Sequence, residues 1–165
     1  MIEIKRITPE TALVFKDARL RALQDTPLAF SSTYAKESLL PDEEWQRRAA
    51  RWGGDENDAM FLAFEGEAVC GIVGSYVEPE QRERAVVISM WVDPAYRRAG
   101  AGKKLIDAVV AWNRERGVRE LTLLVTAVNA GAIAFYERLG FVKTGATGVY
   151  PNDPAIIEYE MLLKI

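Results

Sequence analysis

The chain has 165 residues, of which 49% are hydrophobic and 27% are charged, the length and composition of one ordinary globular domain spanning residues 1–165. It contains no histidine and a single cysteine, Cys70, which excludes histidine-based catalysis and an intrachain disulfide, and no metal site is predicted. The net charge of −3 lacks the basic excess typical of nucleic-acid binding, and no apolar run is long enough for a membrane span, so neither nucleic acid nor a membrane is expected as a partner.

The N-terminal third is predicted to contain one strand and two helices. The elements are a strand at 2–7, a helix at 9–24, a loop at 25–33 and a polar helix at 34–51 that is interrupted at Pro41. Thr8 suits a helix N-cap, and we expect Leu13 to lie on the inward stripe of the first helix with Ala18, Leu20 and Leu23. The first ten residues carry charges and lack the apolar region of a signal peptide, so a cytoplasmic location is expected.

The remaining two thirds are predicted to be richer in strands. The elements are strands at 60–65, 69–77 and 85–92, a helix at 101–116, a strand at 121–125, a helix at 130–139, and strands near 141–147 and 156–163. The strand–helix–strand connection over 85–125 implies one parallel pair in a mostly antiparallel sheet. The predicted fold is therefore α/β of the α+β kind, with six or seven strands and about four flanking helices.

A glycine-rich corner joins the strand at 85–92 to the next helix. Gly100 and Gly102 allow a tight turn or the close approach of a ligand, and the first N–H groups of the helix lack internal acceptors. With the charges of Arg97, Arg98, Lys103 and Lys104, the corner has the features of an anion site suited to phosphate. The alternative is an ordinary turn with solvated charges, and neither a Walker loop nor a dinucleotide fingerprint fits the spacing.

A second feature follows the strand at 121–125. Asn129 is placed to cap the next helix, and Phe135 and Tyr136 lie near one stripe of it with Ala132 and Leu139. Taken alone, an asparagine that caps and a tyrosine that packs would explain this helix.

The two features together resemble the GNAT family of acyl-CoA N-acyltransferases. The first matches the family pattern R/Q-x-x-G-x-G/A with Arg97, Arg98, Ala99, Gly100, Ala101 and Gly102, after a strand that ends in Met90, Trp91 and Val92 and a D-P-x-Y turn at 93–96. The second matches N-x-x-A-x-x-F-Y-x-x-x-G-F with Asn129, Ala132, Phe135, Tyr136, Gly140 and Phe141. The resemblance is strong over about 85–142 and implies an acetyl-CoA-dependent N-acetyltransferase with a splayed parallel strand pair.

The resemblance also implies roles for individual residues. The pyrophosphate of coenzyme A would lie on the N–H groups of residues 98–103, Lys103 included, and the pantetheine arm along Met90, Trp91 and Val92. Asn129 would bind or shape the path of that arm, and Tyr136 would protonate the departing thiolate. The acceptor is expected to be a primary amine, either a small molecule or a protein N-terminus or lysine.

The base that takes the proton of the amine is left open. The family often uses a glutamate on the strand before the glycine corner, and this strand has none, so Glu37 and Glu78 are candidates, each with a surface salt bridge as the alternative. Candidate pocket walls, for each of which a place in the core is the favoured alternative, are Phe30, Ser31, Trp45, Trp52, Tyr76 and Trp91. A non-catalytic CoA-binding sensor is the competing function, and a homodimer is one open assembly.

Overall fold

Seven strands form one sheet in the computed structural model, which describes residues 1–165. Their spatial order is β1-β2-β3-β4-β5-β7-β6. The strands are β1 (Ile2–Arg6), β2 (Asp58–Glu65), β3 (Ala68–Val77), β4 (Arg84–Val92), β5 (Glu120–Thr126), β6 (Val142–Val149) and β7 (Ile157–Lys164). All neighbours are antiparallel except β4 and β5, which are parallel. The prediction of a mixed sheet with one parallel pair is confirmed.

Five helices cover the two faces of the sheet. They are α1 (Ala12–Asp25), α2 (Tyr34–Glu37), α3 (Asp42–Gly54), α4 (Ala101–Arg114) and α5 (Ala130–Arg138). On one face, Leu105, Val109 and Trp112 of α4 pack in a core with Leu121 and Leu123 of β5, the stripe that the sequence predicts. On the other face, α1 and α3 form a second core around β2 and β3. None of the helices has the length and apolarity that a membrane crossing requires.

Two predicted helices can be compared with the structure in detail. The interruption predicted at Pro41 is present, because residues 34–51 form α2 and the larger part of α3, and Pro41 is the N-cap of α3. The helix predicted at 9–24 begins with a 3-10 turn at Pro9–Thr11 before α1. Leu13 was expected to face inward but is 49% exposed, because the inward stripe of α1 runs one residue earlier, through Ala12 and Phe15.

An irregularity in β4 separates it from β5. Ser89 has a positive φ of 56°, and the pairing of β4 with β3 shifts at this point, between Ile72 and Gly74 of β3. Such a bulge adds one residue to one strand and reverses the alternation beyond it. Accordingly Val87 packs in the α4-side core, whereas Trp91 packs in the core beneath α1 and α3. Pairing with β5 ends at Val86, so the second half of β4 diverges from β5.

The end of α3 offers a matched test of packing. A Cβ atom on Gly53 would lie 2.5 Å from the backbone oxygen of Ile7, whereas one on Gly54 would meet nothing within 4 Å. We expect Gly53→Ala to lower the free energy of unfolding by about 1–3 kcal/mol, because the backbone must move to admit the methyl group. Gly54→Ala should leave it unchanged or raise it by up to about 1 kcal/mol. Urea titration of both variants measures the difference, and equal stabilities would contradict the packing described here.

Candidate active site

A cavity of about 1140 Å³ lies where β4 and β5 diverge. Leu123 and Val125 of β5 line it together with Leu124 and Thr126. Because alternate residues of a strand point to opposite faces, this lining shows that the cavity passes between the strands from one face of the sheet to the other. The structure therefore confirms the splayed parallel pair.

The glycine corner forms one wall of this cavity. Arg98 and Gly100 adopt left-handed backbone conformations, with φ of 68° and 89°, and α4 begins directly afterwards at Ala101. The backbone N–H groups without an acceptor in the protein belong to Arg98, Gly100, Ala101, Gly102 and Lys103. Successive free N–H groups at the positive end of a 14-residue helix form a concave anion site.

The charged side chains of the corner are less available than the sequence suggests. Arg97 donates to the carbonyl oxygen of Val92 at 3.0 Å and to Asp25 at 2.6 Å. Lys103 pairs with Asp107, and Lys104 donates to the carbonyl oxygen of Ile2 on β1. Arg98 is the cation of the corner that has no carboxylate partner and lines the cavity.

Helix α5 lies directly against the start of α4. A Cβ atom on Gly102 would be 2.9 Å from the ring of Phe135, so any larger residue here would have to displace that ring. Asn129 caps α5, as predicted, by accepting a hydrogen bond from the N–H of Ala132 at 3.1 Å. Both Gly102 and Asn129 line the cavity.

Tyr136 on α5 is placed at the same cavity. Its ring is 8% exposed and packs against Phe135 and Phe141, with ring centroids 5.3 and 5.5 Å apart. Burial raises the pKa of its hydroxyl above the ordinary tyrosine value, because the phenolate would lose hydration. The group therefore stays protonated at neutral pH and can donate a proton into the cavity.

Most of the predicted site residues meet at this cavity. Its lining includes Met90, Trp91, Val92, Arg97, Arg98, Gly102, Asn129 and Tyr136. The remaining predicted residues, Ala99, Gly100, Ala101 and Lys103, belong to the corner behind this lining, where three of them present free N–H groups.

Comparison with known proteins agrees with this geometry. The sequence model described as the acetyltransferase (GNAT) family matches residues 21–141. The chain belongs to the GNAT acetyltransferase family. An uncharacterized N-acetyltransferase of Methanocaldococcus jannaschii is 44% identical over 107 residues, which are 60% of this chain and 46% of that protein. This chain spans less than half the length of the curated relatives it first matches.

Solved structures show the same fold at low sequence identity. A GNAT acetyltransferase from Streptococcus pneumoniae superposes with a TM-score of 0.82 at 24% identity, over 100% of this chain and 99% of that one. The PaiA N-acetyltransferase from Thermoplasma acidophilum, solved in complex with coenzyme A, has a TM-score of 0.79 at 18% identity, with the same coverage of both chains. The GNAT fold therefore extends over the whole chain.

In this GNAT domain, a buried ion network lines the face opposite α4. Arg19 donates to both oxygens of Glu37, at 3.1 and 2.9 Å, and to the hydroxyl of Ser89 at 2.9 Å. Arg48 donates to Glu37 at 3.1 Å, and the Arg19 guanidinium stacks over Phe30 at 4.6 Å. Burial raises the pKa of Glu37, but the hydrogen bonds and charge of Arg19 outweigh it and hold the pKa below its ordinary value.

This network changes the interpretation of the two candidate bases. Glu37, a candidate base with a surface salt bridge as the alternative, is instead part of a buried ion pair and is 3% exposed, because Arg19 and Arg48 cover its carboxylate. It lines the cavity, yet its oxygens are engaged by those arginines and its lowered pKa makes it a weak base. Glu78 does not line the cavity.

The candidate pocket walls divide into two groups. Phe30, Ser31, Trp52, Tyr76 and Trp91 line the cavity. Trp45 does not, because it is fully buried beneath α1, where its ring meets Phe15 at 5.8 Å.

The structure adds two polar residues that sequence reasoning missed. Glu158 of β7 and Thr126 of β5 both line the cavity and are directly paired across the two strands. The hydroxyl oxygen of Thr126 is buried without a hydrogen-bond partner. The alternation of Ile157, Glu158, Tyr159 and Glu160 indicates a strand with one polar face, but only the register with β5 brings that face to the cavity.

Proposed function

We propose that this protein is an acetyl-CoA-dependent N-acetyltransferase that transfers an acetyl group to a primary amine. The observation that carries the proposal is one cavity that joins an anion site of free N–H groups to a buried, protonated Tyr136. Membership of the GNAT family and a CoA-bound structural neighbour support it.

The residues present fit coenzyme A. The N–H groups at residues 98–103 suit its pyrophosphate, with Arg98 adding a positive charge. From Val87 to Val92, β4 has no strand partner on its β5 side, so Met90, Trp91 and Val92 can pair with the amides of the pantetheine arm as an added strand would. Arg97 donates to the carbonyl oxygen of Val92 and the N–H of Ala99 donates to that of Tyr96, which stabilises the turn. Asn129 lines the same cavity, where it would contact the pantetheine arm.

Acetyl-CoA supplies an acetyl group activated as a thioester, and this chain supplies position and a proton. The amine attacks directly, so no protein nucleophile is needed, and Cys70 is fully buried in a strand. Tyr136 donates its proton to the sulfur of the leaving thiolate, which would otherwise have to depart as an anion. Holding both reactants in one cavity supplies much of the rate increase.

Two assays test the proposal. Isothermal titration should show binding of acetyl-CoA, and thiol release should accelerate on addition of at least one amine from a panel of phenethylamine, spermidine, an alanine-initiated peptide and a lysine peptide. Absence of acetyl-CoA binding would refute the proposal. Binding without thiol release for any amine would instead favour a CoA-binding sensor.

Gly102→Asp tests the corner. Its Cβ atom would lie 2.9 Å from the ring of Phe135, and its carboxylate would place a negative charge beside the free N–H groups where the pyrophosphate is proposed to bind. We expect the affinity for acetyl-CoA to fall by at least about tenfold, roughly 1.4 kcal/mol. Isothermal titration measures it, with Gly54→Ala as a control outside the cavity, and unchanged affinity would place the anion site elsewhere.

The compartment and the assembly stay predictions. The single, buried, free Cys70 supports a cytoplasmic location, where thiols are kept reduced. A homodimer is the assembly to test by light scattering.

A further inference from the structure

We propose that Glu158 binds the ammonium group of the acceptor and accepts its proton, which makes it the base of the reaction. The inference rests on the proposed function and names the residue that the family pattern leaves open, because β4 carries no glutamate. It also assigns the acceptor to the class of cationic primary amines.

The first argument is the pairing of the carboxylates that line the cavity, which are Glu37, Glu44 and Glu158. Glu37 is bound by Arg19 and Arg48. Glu44 is bound by Arg48 at 3.2 Å and by Arg47. Glu158 makes no ion pair and no side-chain hydrogen bond within the protein. It is therefore the carboxylate of the cavity that is free to meet an incoming cation.

The second argument is the place of Glu158 on the sheet. It is paired with Thr126, so both side chains point to the same face. Leu124 lies two residues from Thr126 and shares this face, opposite the α4-side core that contains Leu123 and Val125. Glu158 thus lies on the acceptor side of the opening, the side that also presents Arg19 and Phe30.

The third argument is the buried hydroxyl beside it. Thr126 is 2% exposed, and its Oγ1 atom has no partner, although buried polar groups are almost always hydrogen-bonded. An ammonium group has three N–H donors. One donor would bind the Glu158 carboxylate, and a second would satisfy the Thr126 hydroxyl once that side chain rotates toward the cavity, which makes the pair a two-point site for a primary amine.

The electrostatics of the cavity agree with a base at this position. Burial raises the pKa of Glu158 above its ordinary value, toward the range in which a carboxylate is an effective base.

Most of the cations that line the cavity are already paired. Arg19 and Arg48 are paired with Glu37, and Arg51 is paired with Asp58. Arg97 pairs with Asp25, whereas Arg98 and Arg138 line the cavity without a carboxylate partner. Tyr76 and Tyr136 are further ionisable groups that line the same cavity, and Glu160, two residues from Glu158 on β7, accepts a hydrogen bond from Thr144.

The proton balance of the step is complete. The ammonium gives one proton to Glu158, and the nitrogen lone pair forms the bond to the acetyl carbon as the carbon–sulfur bond breaks. The sulfur leaves with the electron pair of the broken carbon–sulfur bond and takes the proton of Tyr136. Tyr136 recovers the second proton lost by the nitrogen, and Glu158 releases its own proton to water.

Glu158→Gln removes the base and keeps the shape of the side chain. With the amine that the wild type turns over best, we expect kcat/KM at pH 7 to fall by roughly 10²–10³-fold, within the usual range for a general base. The deficit should shrink as the pH approaches about 10.4, where the amine loses its proton unaided. The acid limb of the wild-type profile, which falls as Glu158 is protonated, should be replaced by a limb that follows the fraction of free amine and rises up to about pH 10.4. Glu158→Asp should restore part of the activity.

Glu160→Gln is the matched control, because Glu160 is two residues along the same face of β7 but does not line the cavity. It should keep wild-type kinetics. Equal activity of Glu158→Gln and the wild type, or a deficit that is the same at every pH, would overturn the inference alone. Acetyl-CoA titration separates this from failure of the proposed function: if the wild type binds no acetyl-CoA or acetylates no amine, both are refuted.

Discussion

Replacement of Tyr136 by phenylalanine is expected to lower kcat for acetyl transfer by roughly 10²–10³-fold. The variant keeps the ring that packs between Phe135 and Phe141 and loses only the hydroxyl that the buried site holds protonated. Because the thiolate would then leave without a proton donor, the loss should fall on kcat, while the affinity for acetyl-CoA stays unchanged. Stopped-flow or steady-state thiol release measures the first quantity, and isothermal titration the second.

Tyr159→Phe is the control for that experiment. Tyr159 is a half-buried tyrosine on β7 that packs against the α4-side core and does not line the cavity. Its variant should retain wild-type kcat and affinity. If Tyr136→Phe also keeps its full kcat, the departing sulfur takes its proton from elsewhere, and Tyr136 is a packing residue.

Replacement of Glu37 by glutamine is expected to have the largest effect on stability. Glu37 is 3% exposed and holds two arginines, and removal of one partner from a buried ion network costs about 3–5 kcal/mol. Its pKa in the folded protein lies below the ordinary value. The contribution of the Glu37 charge to the free energy of unfolding is therefore fully present above about pH 4.3, the pKa of a glutamate in the unfolded chain. It is lost as the pH falls through the lower pKa that Glu37 has in the folded protein.

Urea titrations at pH 7 and at acidic pH test both statements. The difference in the free energy of unfolding between the wild type and Glu37→Gln should be large at pH 7 and should become smaller at acidic pH. Glu43→Gln, at an exposed position in the first turn of α3, should remain within about 0.5 kcal/mol of the wild type. A difference in the free energy of unfolding that is independent of pH would show that ionisation of Glu37 does not stabilise this region.

The parts predicted correctly from the sequence depend on local signals. The glycine corner and the Asn129 cap are each encoded within a few residues, because turn geometry and helix capping involve near neighbours in the chain. The strand–helix–strand order over 85–125 likewise implies the parallel pair. Leu13 shows the limit of this reasoning, because a shift of one residue on a helix rotates the buried stripe by about 100°.

The parts that were missed depend on contacts between distant segments. Glu158 reaches the cavity through its register with Thr126, and strand pairing over 32 residues leaves no short motif. The burial of Glu37 depends on Arg19 and Arg48 of two other helices. Lys104 looks like part of the anion site in sequence, but the turn of α4 directs it to β1.

The sheet separates the two sides of the protein, and the divergence of β4 and β5 leaves an opening between those sides. The free N–H groups of the corner lie at one end of that opening, and Arg19, Phe30 and Glu158 lie on the other face. Two molecules can therefore enter from opposite sides and meet within the thickness of the sheet, and neither has to pass the other. With this arrangement, the residues that line the acceptor side can be substituted to fit a different amine without altering the anion site at the opposite entrance.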